Sequence, residues 1–198
     1  PLVAAALNET PNMITVHHLE HSRSQRVLWL LEELRLPYEV KRYERNKETS
    51  LAPPELQAIH PLGKSPVITD GKVTVAETGA IVEYLVEQAG DALRPAPSTP
   101  EHRRYTYWLH FAEGSAMPPL VMALVFNRIK KAPMPFFARP IARAIADNVI
   151  DSFIKPNLKR QLAFMESELA QHAWFTGRAF TAADVMMSFP IEAAASRG

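Results

Sequence analysis

An α/β unit followed by an all-helical one is the fold class this sequence predicts, and three observations carry it. Short β-branched segments alternate with apolar residues at helical spacing as far as Gly90. The stretch Asp91 to Pro100, holding Pro95, Pro97 and Pro100, then separates two regions of different character. Beyond it the apolar residues repeat only at helical spacing. A length of 198 residues suits one large domain or two small ones, and this pattern favours two. The expected organisation is a leader or flexible N-terminus over residues 1–12, an α/β domain over 13–90, a linker over 91–100 and a helical domain over 101–198.

Met13 to Leu19 alternates and is β-branched, so it reads as a first strand. Val27, Leu30, Leu31 and Leu34 follow at helical spacing up to the Leu36-Pro37 stop, because the residue before a proline is pushed out of the α region. Tyr38 to Tyr43 reads as a second strand, and Glu55 to Ile59 as a short helix after Pro53-Pro54. Pro66 to Thr69 and Lys72 to Ala76 are two further strands, with Asp70-Gly71 as the hairpin signal between them. A helix starting at Glu77 buries Ile81, Val82, Leu85 and Val86 and runs to about Gly90, giving the order βαβ then ββα.

In the second region, Glu101 to about Ile129 and Arg139 to about Gln171 are long helical patterns. Pro118-Pro119 and Pro156 should kink or break them, since proline removes an intrahelical donor and clashes with the preceding turn. Leu158, Leu162, Met165 and Leu169 mark one buried face. Thr181 followed by Asp184 gives a last helix its start, with Thr181 as cap and the carboxylate in the first turn.

Composition excludes several function classes. The net charge of +1 gives nucleic acid and membrane surfaces no electrostatic support, and no window resembles an uninterrupted membrane span. Cysteine is absent, which removes disulfides, thiolate metal sites and any protein thiol nucleophile. If sulfur chemistry takes place here, the sulfur belongs to a substrate or cofactor. His17, His18 and His21 have no acidic or histidine cluster elsewhere at ligand spacing, so no metal site is expected; strand packing and solvent exposure account for them. A cytoplasmic location follows as the default.

The residues that carry chemistry lie between Lys64 and Thr78. Pro66 has no N–H, so a strand starting there leaves ladder groups free, and the backbone of Ser65 can pair with an extended ligand. Glu77-Thr78 stands at a helix head, where unpaired N–H groups can take a ligand carboxylate. Sheet-edge pairing plus carboxylate capture is a recurring mode of peptide recognition.

Three separated motifs now carry a resemblance: His60-Pro61-Leu62-Gly63-Lys64-Ser65-Pro66-Val67-Ile68, then Ala76-Glu77-Thr78-Gly79-Ala80-Ile81, then Gly177-Arg178-Ala179-Phe180-Thr181-Ala182-Ala183-Asp184. In this order they resemble the cytosolic glutathione S-transferases, over nearly all of the chain from Met13 onward. The opening His21-Ser22-Arg23-Ser24-Gln25-Arg26-Val27-Leu28-Trp29 is most similar to a bacterial and fungal branch with a serine-type motif. The resemblance implies a thioredoxin-like first domain, a helical-bundle second domain that normally continues past the position of Gly198, and a homodimer. It also implies that Pro66 is cis and that the Ser65 backbone pairs with the cysteinyl part of glutathione. Glu77 would meet the γ-glutamyl ammonium, Thr78 and its N–H the carboxylate, and Lys64 the peptide or its glycyl carboxylate.

Ser22 matches the serine that donates a hydrogen bond to the glutathione thiolate without attacking covalently. A plain N-cap is the alternative role for Ser22, Ser24 is a further candidate cap or donor, a backbone N–H is another donor, and Arg23, rather than proline, follows Ser22 here. His21 is a candidate to orient a donor or an anion near Ser22. The function implied is a transferase that stabilises the thiolate for attack on an apolar electrophile, with glutathione as co-substrate. A glutathione-dependent peroxidase and a noncatalytic glutathione- or ligand-binding regulator are the alternatives. The electrophile would sit between the glutathione site and the helical domain, near Tyr107, Trp108, Phe111, Met117 and Phe126, residues that also fit an ordinary buried helix face.

Overall fold

The computed structural model describes residues 13–20, 22–49 and 51–196, so the expected leader and His21 lie outside the described residues. It divides into two compact units, the first ending at Ala92 and the second starting at Leu93.

The first unit is a four-stranded sheet, β1 (Ile14–Leu19), β2 (Tyr38–Tyr43), β3 (Val67–Asp70) and β4 (Val73–Ala76), in the order β2-β1-β3-β4. β1 and β2 are parallel, joined through α1 (Ser24–Leu34), whereas β3 is antiparallel to both β1 and β4. This βαβ-ββα order is the thioredoxin-like arrangement that the resemblance implies. α1 buries Val27, Leu30 and Leu31 completely, and α3 (Thr78–Gln88) buries Ile81, Val82, Leu85 and Val86. Each such side chain contributes about 1.5–3 kcal/mol relative to an exposed one, so these two helices and the fully buried Val16 and Ile68 form the main core. Leu19, Tyr43 and Leu56 of α2 (Glu55–Ile59) make a smaller cluster with Ala52 against it.

α1 ends as expected before Pro37: Arg35 takes a left-handed conformation and the Leu36 N–H donates to the Leu31 carbonyl. The hairpin turn falls one residue later than Asp70-Gly71. Asp70 is still in the ladder, opposite Val73, so the turn is Gly71-Lys72 with Gly71 at φ 54°. Tyr84 explains the shift, because its hydroxyl donates to Asp70 Oδ2 at 2.7 Å and holds that residue at the strand end.

In the second unit, α4 (Pro100–Phe111) is capped by Thr99, whose side chain accepts the His102 N–H. It passes through one wide π turn, Ala112–Ala116, directly into α5 (Met117–Lys131). The expected break at Pro118-Pro119 is therefore a local widening. Pro119 cannot donate to the Ser115 carbonyl four residues earlier, and the Gln161 side-chain amide does so instead at 2.8 Å. A second π turn, Ile150–Ile154, joins α6 (Arg139–Val149) to α7 (Lys155–Leu169) just ahead of Pro156.

α8 (Ala182–Ala195) is the most buried helix, packed against α4 and α5, with Ala182, Ala183, Val185, Met186 and Met187 fully enclosed. At its start the Thr181 N–H and hydroxyl both donate to Asp184 Oδ2, at 2.8 and 3.0 Å, and the Phe175 N–H donates to Oδ1 at 2.9 Å. The Leu93 carbonyl accepts the Ala182 N–H and the Pro95 carbonyl bonds His102 Nδ1, so this part of the proline-rich stretch is tied into the second unit.

One expectation needs correction. By length and mean hydropathy the combined helix Pro100–Lys131 does meet the requirement for a membrane span. Of its apolar residues, Trp108, Phe111, Met117 and Leu120 are buried in the second unit, whereas Val121, Val125 and Ile129 are exposed.

Candidate active site

Sheet register gathers the predicted residues at one end of the first unit. β3 starts opposite the end of β4, Val67 facing Ala76, so Ser65-Pro66 and Glu77-Thr78 flank the same rung. On the other side of β3, His17 faces Val67, which brings the end of β1 alongside Ser65: the Leu19 N–H donates to Ser65 Oγ at 3.2 Å. The loop leaving β1 then carries Ser22, whose Oγ stands 3.3 Å from Ser65 Oγ. Residues more than forty positions apart in sequence thus meet at one sheet end.

The Ser65-Pro66 peptide is cis and Pro66 is buried. The Ser65 hydroxyl donates to the His17 carbonyl at 2.8 Å, fixing its side chain to β1. Lys64, one residue earlier, is exposed.

Glu77 is the N-cap of α3, outside the helix, and Thr78 is its first residue, so Thr78 is not a cap. Glu77 has φ 71° and ψ 125°, a conformation rare for a side chain with a Cβ, and such residues cost about 1–3 kcal/mol. Strain of this kind clusters at ligand-binding positions. The first intrahelical bond runs from Ile81 N–H to the Glu77 carbonyl, so the N–H groups of Thr78, Gly79 and Ala80 have no partner within the helix. Around Gly79 the space is open, with nothing within 4 Å of where a Cβ would stand.

The loop end of α1 carries a chain of hydroxyls. Ser22 Oγ and Ser24 Oγ are 2.7 Å apart, the Ser24 N–H donates to Ser22 Oγ at 3.3 Å, and Ser24 Oγ lies 2.8 Å from His18 Nδ1. Ser24 is fully buried and Ser22 nearly so. The N-cap of α1 is Arg23, with no side-chain cap of its own, and Ser22 Oγ accepts the N–H of Ser24, the first residue of the helix. His18 was expected to be explained by strand packing and exposure; its bond to Ser24 is what those expectations missed. Strand periodicity cannot show a contact between the end of β1 and the start of α1. A histidine at a strand end, six residues before a buried serine, was the available signal.

Burial and then Arg42 hold the His18 imidazole below histidine's usual pKa, against the opposing pull of Glu20. His17 is lowered as well, first by burial and then by Lys41. Its ring bonds Tyr43 Oη at 2.9 Å and Thr69 Oγ1 at 3.3 Å, so it is a structural residue.

Of the residues considered for an electrophile pocket, Trp108, Phe111 and Met117 are buried, Phe126 is half-buried and Tyr107 is exposed. Trp108 stacks on Phe164 with centroids 5.4 Å apart and tilts against Phe175 at 4.5 Å, which is core packing.

The profile described as glutathione S-transferase, N-terminal domain, matches residues 11–87. Glutathione S-transferase 3 of Schizosaccharomyces pombe is 39% identical over 183 residues, which is 92% of this chain and 74% of that protein. This chain belongs to the glutathione S-transferase family. A crystal structure of a glutathione S-transferase from Actinobacillus pleuropneumoniae has a TM-score of 0.73 at 32% identity, covering 94% of this chain and 80% of that one. A glutathione transferase family member from Pseudomonas fluorescens, solved with two glutathione bound, has a TM-score of 0.69 at 26% identity, covering 92% and 77%. The thioredoxin-like and helical units of this chain are therefore those of a glutathione S-transferase.

Proposed function

We propose that this protein is a glutathione transferase that binds glutathione at the Ser65-Pro66 and Glu77-Thr78 end of its sheet and holds the thiol as thiolate for attack on an apolar electrophile. The observation that carries the reading is the 3.3 Å approach of Ser22 Oγ to Ser65 Oγ, which joins the peptide-anchoring strand to a hydroxyl donor. The kinship with named glutathione S-transferases, and with a Pseudomonas protein that holds glutathione, supports the ligand.

In this reading the Ser65 backbone pairs with the cysteinyl residue, the start of α3 takes the γ-glutamyl carboxylate, Glu77 meets the ammonium and Lys64 the glycyl end. The sulfur then lies near Ser22. A thiol with a pKa of about 8.5 is only about 3% ionised at pH 7, and lowering it by about 2 units, worth about 2.7 kcal/mol, raises that to about three quarters. A hydroxyl that donates to sulfur supplies part of this without changing its own covalent state. None of these 198 residues is a cysteine that could form a mixed disulfide, so in this reading the reacting sulfur is glutathione's. The product is a thioether, formed as the thiolate displaces a leaving group or adds to the electrophile.

Assembly as a homodimer and a cytoplasmic location belong to the same reading. Calorimetry with glutathione, together with turnover of a panel of aryl halides, epoxides, isothiocyanates and peroxides, tests the function. Binding plus conjugation of at least one electrophile is expected. Binding with turnover of peroxides alone makes the protein a peroxidase, binding with no turnover makes it a regulator, and no binding sinks all three.

A further inference from the structure

The hydroxyls at the start of α1 form a chain whose hydrogens can be counted. Ser65 has one hydroxyl hydrogen and gives it to the His17 carbonyl at 2.8 Å, since a carbonyl only accepts. Ser65 therefore has none for Ser22. Ser22 and Ser24 are 2.7 Å apart, a separation that requires one hydrogen between the two oxygens. Ser24 and His18 Nδ1, at 2.8 Å, likewise share one. Ser24 is fully buried, so its hydroxyl exchanges hydrogens only with these two neighbours.

Two directions satisfy the chain. In one, Ser22 donates to Ser24, Ser24 donates to His18 Nδ1, and the imidazole carries its hydrogen on Nε2; Ser22 then has nothing to give a ligand. In the other, His18 donates from Nδ1 to Ser24 and Ser24 donates to Ser22. Ser22 Oγ then accepts both the hydroxyl and the N–H of Ser24, and its own hydrogen goes to Ser65 Oγ at 3.3 Å, a long bond from which it can turn to a ligand. Only this second direction leaves Ser22 able to donate to a thiolate.

Resting on the transferase reading above, we infer that His18 is a positioning residue, and that bound glutathione thiolate selects the His18 tautomer with its hydrogen on Nδ1. The thiolate takes the Ser22 hydrogen, Ser24 must supply the hydrogen to Ser22, and His18 must then supply the one to Ser24. The count of hydrogens on the chain is unchanged: as Nδ1 gains a hydrogen Nε2 gives one up to solvent, and no covalent bond to sulfur forms. The imidazole stays neutral throughout above neutral pH, because burial and Arg42 outweigh Glu20 in holding its pKa down. Each bond in such a series polarises the next by about 10–30%, so the relay also strengthens the final bond to sulfur.

The test records long-range nitrogen–proton spectra of the histidines above neutral pH, with and without saturating glutathione, alongside the ultraviolet thiolate signal. Expected is a His18 with protonated Nδ1 and bare Nε2 in the complex. Ser24→Ala should abolish any response of the His18 tautomer to glutathione. Ser24→Ala and His18→Phe should each lower kcat near neutral pH about two- to threefold with KM for glutathione unchanged, and the double variant should be no worse than either, since both cut the same chain. A thiolate signal in a complex whose His18 carries its hydrogen on Nε2 overturns this inference and leaves the transferase reading standing. Absence of the thiolate signal from the wild type overturns the transferase reading, and this inference with it.

Discussion

Replacing Asp184 with alanine should cost about 3 kcal/mol of stability, which can be worked from the structure bond by bond. The carboxylate accepts the backbone N–H groups of Phe175 and Thr181 and the Thr181 hydroxyl. Phe175 and Thr181 are each only 4% exposed, so water cannot readily replace the lost acceptor. A buried donor left unsatisfied costs about 1–3 kcal/mol, giving about 2–6 kcal/mol for the two N–H groups; the hydroxyl can rotate to another acceptor. Against this stands relief from burying a charge, since burial pushes the Asp184 carboxyl above the ordinary carboxylate pKa despite its hydrogen bonds. Asp184→Asn, which keeps one acceptor oxygen, should fall between alanine and wild type.

Urea unfolding followed by circular dichroism measures both variants. The sign with pH is also fixed: a carboxyl with a raised folded pKa contributes stability below its unfolded pKa that is lost as pH rises through the folded one. The advantage of wild type over Asp184→Asn should therefore be larger in acid than at neutral pH. An alanine variant within about 0.5 kcal/mol of wild type would refute the reasoning, since that is the range of surface substitutions that touch nothing.

Two further outcomes follow from the first unit. Glu77→Gly should stabilise the fold by about 1 kcal/mol by releasing the φ 71° backbone. The same change and Glu77→Gln should both weaken glutathione binding by about 1.5–3 kcal/mol, roughly ten- to a hundredfold in Kd, as calorimetry would show; unchanged binding removes Glu77 from the site. His17 is held below histidine's usual 6.5 chiefly by burial, so its contribution to stability is present above 6.5 and lost as pH falls through its folded value. Denaturation midpoints of the wild type should accordingly fall on acidification below about pH 6.5, more steeply than those of His17→Gln.

Much of the fold was legible because its signals are local. Apolar spacing placed α1 and α3, β-branched runs placed the strands, and Pro37 stopped α1 where the structure stops it. The hairpin turn was misplaced by one residue because a contact from Tyr84, fourteen residues away, decides it. Proline predicted breaks at 118 and 119, yet Gln161, from another helix, supplies the missing donor and lets the helix continue. Within the site, Ser22, Ser65, Glu77 and Thr78 could be named from motifs, but their convergence depends on sheet register, and the strain at Glu77 depends on a backbone angle that no residue type reports. His18 stayed hidden because its partner Ser24 is reached only across the turn from β1 into α1.

The central claim is that this protein lowers the pKa of bound glutathione through the Ser22 hydroxyl. The ultraviolet thiolate absorbance of the glutathione complex, titrated against pH for wild type and Ser22→Ala, measures it directly. The wild type should titrate about 2 units below the free thiol's value of about 8.5, and Ser22→Ala should move most of the way back. A wild-type complex that titrates like free glutathione, or a Ser22→Ala complex that titrates like wild type, contradicts the claim.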